Sequence, residues 1–422
     1  MANARKIAVD ALLRVEQDGA YSNLILGQLL SRSDASKEDK ALASAIFYGV
    51  LDRLITLDYY INKLSKLPVK KLQPLTRQVL RTALYQIYYM DRIPHSAAVN
   101  EAVKLIKKSG ENRNSGYVNA VLRNAVSSDI ELPLGIDLYS LSVRYSCPPW
   151  ILGNIINDYG TERAEDILQA YLLPSNISLR VNTLKTSSDE IKELFKSQHI
   201  EVKENGLDDS FELCSGIDIA DHTLFKDGLY HIQDISSQKC ALALSAKQGE
   251  RILDVCAAPG GKSFTIAQTM EDTGEIISCD LYENRVSLIN KGAKRLGIKC
   301  IKAIQNDASL FNSKLGDFDA VLCDVPCSGF GVIRRKPEIK YKPIDDFENL
   351  QKIQLGILET SSAYVKSGGR LLYSTCTIRK AENERIVEAF LENTNDFKCE
   401  YMHTDLPSRD SDGFFRALLI KK

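Results

Sequence analysis

From residue 250 onward, short apolar runs alternate with helical stretches, and this alternation restricts the C-terminal part of the chain to few folds. The runs are RILDV at 251–255, EIISCD at 275–280, CIKAI at 300–304, DAVLCD at 319–324 and RLLYSTC at 370–376. Strands separated by helices predict a parallel, doubly wound α/β sheet covered on both faces, a Rossmann-like arrangement. Ligands of such sheets bind outside the carboxyl ends of the strands, near the point where strand order reverses. Chemistry is therefore sought at the residues that end each run.

The N-terminal part carries a different period. Leu42, Ile46, Val50, Leu54, Leu57 and Ile61 recur at steps of three or four, which predicts one stripe of a helix, and Leu75, Val79, Ala83 and Ile87 repeat the pattern. Pro68, Pro74 and Pro94 punctuate the segment, and Pro94 is placed to open a helix. Residues 1–130 are expected to form an all-α bundle of five or more helices. A polar stretch, Ser127–Asp129, marks its end. Residues 131–245 read as a small α+β subdomain: helical runs follow Cys147-Pro148-Pro149-Trp150, then strand-like ISLRVNT, HIEV and LYHIQ. Residues 246–422 form the α/β domain. At 422 residues, two or three domains are expected.

Composition excludes several classes. With 44% hydrophobic and 26% charged residues the chain is neither disordered nor fibrous. Ten cysteines without C-x-x-C or zinc spacing exclude a disulfide scaffold and give no metal site. No apolar run approaches the ~18 residues of a membrane span. Asp10 and Arg14 interrupt any signal-peptide core, so a cytoplasmic protein with unbridged thiols is expected. Charge is uneven: residues 1–130 carry 19 Lys+Arg against 12 Asp+Glu, and the remainder 35 against 43. A basic front and acidic back fit a phosphate-binding module joined to an enzyme, or ordinary surface variation.

Asp254-Val-Cys-Ala-Ala-Pro-Gly-Gly-Lys-Ser263 follows the first run and opens a helix. It lacks the G-x-G-x-x-G of dinucleotide sites, and Cys256 stands where a P-loop needs its first Gly. Asp280 ends the second run, where an acid can accept hydrogen bonds from both ribose hydroxyls of an adenosine. Asp307 follows the third, in reach of the adenine side. The ordinary role for a lone Asp is a helix cap or turn. Asp324-Val-Pro-Cys-Ser-Gly329 ends the fourth run and Ser374-Thr-Cys-Thr377 the fifth, which sets Cys327 and Cys376 at the ligand-binding edge. A single cysteine is ordinarily a packed core thiol. A pair beside a cofactor pocket is less easily dismissed.

Taken together, DVCAAPGGKS, DVPCSG and STCT resemble the RNA cytosine-C5 methyltransferases that use S-adenosylmethionine. DVPCSGFGVIRRKPEIK and the final DGFFRALLIKK are similar to the bacterial small-subunit (16S) rRNA enzymes of the RsmB (Sun, Fmu) type. ARKIAVDALLRVEQDGAYSN, RIPHSAAVNEAVKLIKK and GYVNAVLRN resemble the RNA-binding NusB fold. The resemblance covers almost the whole chain. Val325 and Phe330 depart from it, standing where Ala and Thr are commoner, and neither removes a catalytic atom.

The resemblance implies a cofactor and three catalytic residues. S-adenosylmethionine would lie on Cys256, Ala257, Ala258, Pro259, Gly260, Gly261 and Lys262, with Asp280 at the ribose, Asp307 at the adenine side and Asp324 between cofactor and base. It makes Cys376 the nucleophile that adds to C6, because cytosine C5 is too poor a nucleophile to take a methyl unaided. Cys327 would assist release as base, and Asp324 would hold the cytosine N3/N4 edge. The implied partner is single-stranded or loop 16S rRNA, with cytosine 967 as target, since a reacting base must leave its stack. A monomer is expected. A tRNA substrate, or a non-catalytic RNA-binding assembly or antitermination factor, are the alternatives. Arg334, Arg335 and Lys336 are either phosphate contacts or a solvated cluster. Lys104, Lys107, Lys108, Arg113 and Arg123 are candidate phosphate contacts on the helical domain, and His95 and His231 are read as structural.

Overall fold

The structure, a computed structural model, describes residues 4–18, 22–214 and 216–422; residues 19–21 of the first NusB-like stretch lie outside them. Two compact units divide these residues: the chain up to Leu172 with Ile333–Lys342, and Leu173–Val332 with Pro343–Lys422. Among the described residues, no helix is long and apolar enough to cross a membrane.

The first unit is helical: α1 Ala4–Asp18, α2 Ser22–Ser31, α3 Lys37–Asp52, α4 Leu54–Leu64, α5 Pro74–Tyr89, α6 His95–Lys108, α7 Ser115–Ser127, α8 Leu138–Tyr145 and α9 Pro149–Tyr171. The apolar stripes face one core containing Leu12, Ile46, Phe47, Val50, Leu57, Ile61, Val79, Leu80, Leu84 and Ile106. Pro74 occupies the first turn of α5, and α6 begins directly after Pro94, as the proline positions predict. The stripe from Leu42 to Ile61 is two helices rather than one, broken at Arg53 (φ −118°, ψ 21°). The reason is long-range. Ile55 gives its amide to Ser146 Oγ at 2.9 Å. The Leu51 and Asp52 carbonyls instead accept from Tyr341 Oη and Lys340 Nζ, each at 2.7 Å. Backbone groups that would continue a helix are satisfied elsewhere. Arg334, read as phosphate-facing or solvated, is buried in this unit, whereas Lys336 is exposed. Lys104, Lys107, Lys108, Arg113 and Arg123 are all exposed.

The second unit holds two sheets. The smaller is antiparallel, from β1 Ile177–Val181, β2 Val202–Glu204, β3 Ser210–Leu213 and β4 Tyr230–Ile232, in the order β2-β3-β1-β4. The helix α10 Ser188–Ser197 opens with a capping box between Ser187 and Glu190, and its Ile191 and Phe195 pack with Leu179, Val181, Phe211 and Tyr230. A short α11 Thr223–Lys226 precedes β4.

The larger sheet contains β5 Arg251–Asp254, β6 Glu275–Asp280, β7 Ile301–Gln305, β8 Phe318–Asp324, β9 Val365–Thr375, β10 Phe397–Asp405 and β11 Phe414–Lys421, in the order β10-β11-β9-β8-β5-β6-β7. Strands β5 to β9 are parallel, as the alternation predicts. Two strands not read from sequence extend the sheet, and β11 runs antiparallel to β9 and β10. Only residues 406–413 join β10 to β11, and a parallel return needs a crossover of about a dozen residues or more. One face is covered by α12 Ile235–Ala243, α13 Gly261–Thr269 and α14 Glu283–Leu296, through Ala241, Ile266 and Ile289 on Ile252, Ile276 and Leu322. The other carries α15 Leu350–Ser362 and α16 Glu384–Asn393, through Leu358, Val387 and Phe390 on Leu253, Val321 and Tyr373. Strand order reverses at β5, between β6 and β8.

Lys340 is 1% exposed, and burial lowers its pKa against the raising effect of Asp52. Lys340→Met leaves the Asp52 carbonyl without its donor and Asp52 without its compensating charge. It should destabilise the helical unit by about 3 kcal/mol, read as a fall in the urea midpoint of helical circular dichroism.

Candidate active site

Parallel pairing sets three loops side by side. Asp254 of β5 lies opposite Leu322 of β8, and Asp324 of β8 lies opposite Ser374 of β9. The chain therefore leaves β5, β8 and β9 at one carboxyl edge.

The loop after β5 turns tightly into α13. The Ala258–Pro259 peptide is cis, and Gly260 has φ 108°, where an added Cβ would lie 2.4 Å from the Phe264 ring. Only glycine fits this position on both counts. A cavity of about 190 Å³ opens beside the loop, lined by Cys256, Ala257, Ala258, Pro259, Gly261, Lys262 and Asp324 among the residues read from sequence. Ile232, Gln233, Asp234, Ser237 and Asp254 complete the lining and were missed as binding residues. Gln233 and Asp234 lie between β4 and α12, outside the alternating α/β pattern that drew attention to strand ends. Asp254 ends a strand as visibly as Asp280 does.

Asp254 is buried. Its Oδ2 accepts from Ser263 Oγ at 2.7 Å, while Oδ1 has no hydrogen-bond partner. Burial pushes this carboxyl up to about 7, against the Ser263 hydrogen bond. Lys262 Nζ donates to Asp324 Oδ2 at 2.7 Å, and Ser374 Oγ donates to Asp324 Oδ1 at 2.8 Å. Burial alone would lower the Lys262 pKa; the Asp324 charge outweighs it and holds the ammonium charged. Asp324 thus touches the cavity on one side and the β9 end on the other.

The two sequence-predicted cysteines meet. Cys327 Sγ and Cys376 Sγ lie 3.0 Å apart. Hydrogen bonding to Cys376, then burial, raises the Cys327 pKa well above that of an ordinary thiol. Cys147, Cys240, Cys279 and Cys323 are buried thiols that desolvation pushes up to about 12, the ordinary packed role. Gly260, Asp280, Asp307, Cys327 and Cys376 do not line the cavity. Asp280 is buried at the end of β6, accepts from the Tyr282 amide at 3.2 Å and lies 3.5 Å from Arg285 Nε. Asp307 accepts from the Ser309 amide and hydroxyl at 2.9 and 2.6 Å, a turn-forming pattern. His231 is buried edge-on to Phe264, and burial lowers its pKa to about 4.

The family model described as 16S rRNA methyltransferase RsmB/F matches residues 241–419. Over 94% of its length the chain is 39% identical to the probable ribosomal RNA small subunit methyltransferase B of Bacillus subtilis, covering 90% of that protein. The chain belongs to the RsmB/F family of 16S rRNA methyltransferases. The RsmB/F assignment extends through the other parts: the NusB family matches residues 2–127, and an RsmF/B-like ferredoxin-like domain matches residues 147–220. Ribosomal RNA small subunit methyltransferase B of Shigella sonnei is 33% identical, with 100% of this chain and 99% of that protein covered. The crystal structure of PH0851 superposes with a TM-score of 0.83 at 26% identity, over 100% of this chain and 99% of that one. The resemblance read from the motifs is thereby borne out, as is the fold: a NusB-like bundle, a small α+β part and a Rossmann-like methyltransferase domain. As an RsmB/F member the chain is an S-adenosylmethionine-dependent rRNA methyltransferase.

The raised Asp254 carboxyl has a consequence for stability. Between its ordinary value near 3.8 and about 7, the folded state binds the extra proton. Its stabilising contribution is full below the lower value and lost as pH rises through the upper one. Asp254→Asn should unfold at higher temperature than the parent at pH 8, with the gain gone by pH 4, in calorimetric scans.

Proposed function

We propose that this chain transfers a methyl group from S-adenosylmethionine to C5 of a cytosine in 16S rRNA, cytosine 967 being the expected target, through a Cys376–C6 adduct released with the help of Cys327. The observation that carries this reading is the 3.0 Å approach of the two sulfurs beside a carboxylate, Asp324, that also borders the cavity.

The residues at the cavity fit such a cofactor. Lys262 supplies a cation, Asp254 Oδ1 and Gln233 Nε2 are buried polar atoms without hydrogen-bond partners, and Gly260 keeps side-chain bulk out of the loop. Asp280, at the β6 end, keeps acceptor capacity for a ribose. When bound, the cofactor supplies an electrophilic sulfonium methyl.

The chain's own residues then divide the work. The contact with Cys376 and burial raise the Cys327 pKa, and in this reading Cys376, as thiolate, is the sulfur that attacks. Its electron pair forms the S–C6 bond and makes C5 enamine-like, with Asp324 at the N3/N4 edge favouring a proton on N3 that is given back on release; C5 would then take the methyl, the S–CH3 bonding pair staying with the departing neutral thioether. Once Cys376 is bonded to carbon, it no longer shares a proton with Cys327. Cys327 gives up its proton and takes the one leaving C5. The C5–C6 double bond re-forms, the S–C6 pair returns to Cys376, and one proton goes to solvent per methyl transferred.

Cys376→Ala should abolish transfer of labelled methyl to unmodified 16S rRNA. Cys327→Ala should instead accumulate a protein–RNA adduct that survives denaturing electrophoresis. A trapped adduct from Cys376→Ala, with wild-type turnover in Cys327→Ala, would reverse the two roles. Both variants should bind cofactor as the parent does, whereas Asp280→Ala should bind it at least about tenfold more weakly by calorimetry, as expected when one or more charge-assisted hydrogen bonds of ~1.5 kcal/mol each are lost.

A further inference from the structure

Glu382 belongs to the polar run between β9 and α16 and takes no part in the chemistry above, yet its side chain is fully buried. A buried carboxylate is costly unless donors surround it. Three do. Oε2 accepts from the Ser328 amide and from Gln354 Nε2, both at 2.9 Å, and Oε1 accepts from Arg379 Nη1 at 2.9 Å. Its backbone carbonyl accepts from Tyr373 Oη at 2.7 Å.

These donors sit where the chemistry needs rigidity. Ser328 follows Cys327 directly. Gln354, from α15, also donates to the carbonyl of Pro326 at 2.9 Å, so the peptides on both sides of Cys327 are held by one Gln354–Glu382 pair. Glu382 itself lies six residues after Cys376. Two further bonds tie the same loops: Ser328 Oγ to Thr377 Oγ1 at 2.8 Å, and the Gly331 amide to the Cys376 carbonyl at 3.0 Å. A Cβ on Gly331 would lie 1.9 Å from the Gly413 carbonyl, so the backbones there are too close for any side chain.

We propose that Glu382 is a positioning residue that clamps the Cys327 loop to the Cys376 loop, so that release of the adduct keeps pace with its formation. This inference rests on the two-cysteine reading of the site. Its charge also adds to the forces that keep the proton on Cys327. A misplacement of ~1 Å at such a pair costs about a hundredfold in rate.

Glu382→Gln tests the clamp, because a carboxamide turns one acceptor into a donor facing a donor. Turnover on 16S rRNA should fall roughly 10- to 100-fold. Cofactor and RNA dissociation constants should stay at parent values, and a denaturation-stable protein–RNA adduct should accumulate as Cys376 attacks but Cys327 is out of place. A residue needed only for folding would lower the melting temperature and all activities together, without the adduct. Where Glu382→Gln does not fold, Gln354→Met, which removes the Pro326 anchor, should give the same adduct with a smaller loss of turnover. Parent-like turnover, or loss of turnover without adduct from the folded variants, overturns the proposal. Cys327→Ala run alongside separates the two ideas. If it traps adduct and Glu382→Gln does not, only the clamp fails; if it traps none, the two-cysteine reading falls and the clamp with it.

Discussion

The parallel register between β8 and β9 is the constraint on which the site depends. Asp324 stands opposite Ser374, so the chain leaves both strands at the same level. Three residues later on one strand and two on the other, the sulfurs of Cys327 and Cys376 lie 3.0 Å apart. A slip of one residue would turn every side chain of one strand to the other face. That slip is opposed by burial on both faces: Val321, Cys323, Leu371 and Tyr373 pack under α15 and α16, while Ala320, Leu322 and Leu372 pack under the helices of the opposite face. Core packing thus sets the separation of the two sulfurs.

The same edge collects charges that burial would otherwise drive out. Lys262 and Asp324 offset one another, Glu382 is satisfied by three donors, and Asp254 is left half-satisfied and drawn toward its neutral form. In a low-dielectric pocket such groups interact strongly, and each one fixes the position of a neighbour. The thiol pair follows this logic. Cys327 lies 3.0 Å from the Cys376 sulfur, and that contact together with burial raises its pKa well above that of an ordinary thiol.

What could be read from the sequence was what local pattern encodes. Strand ends carrying Asp254, Asp280, Asp324 and Cys376 follow from short apolar runs, and the turn at Gly260 follows from adjacent glycines. The break at Arg53 was not legible, because the apolar stripe continues through it; only Ser146, Lys340 and Tyr341, distant in sequence, supply the bonds that divide the helix. The antiparallel β11 was hidden for a similar reason. FFRALLIK reads as a strand of either direction, and the length of its connection decides. Glu382 lay in a run of charged residues, RKAENER, where a surface position is the usual expectation. Its burial depends on Ser328 and Gln354, more than twenty residues away on either count.

The segment Ile333–Lys342 adds a dependence that domain-by-domain reading misses. It follows the Cys327 loop directly in the chain, yet it is counted with the helical unit and completes the end of α3. Arg334, Ile339 and Lys340 are buried there. An ammonium buried to this degree needs a carbonyl acceptor and a nearby carboxylate, and Asp52 supplies both. The helical unit therefore takes in more of the chain than residues 2–127, which the NusB family matches. Part of its hydrogen bonding is encoded between β8 and α15.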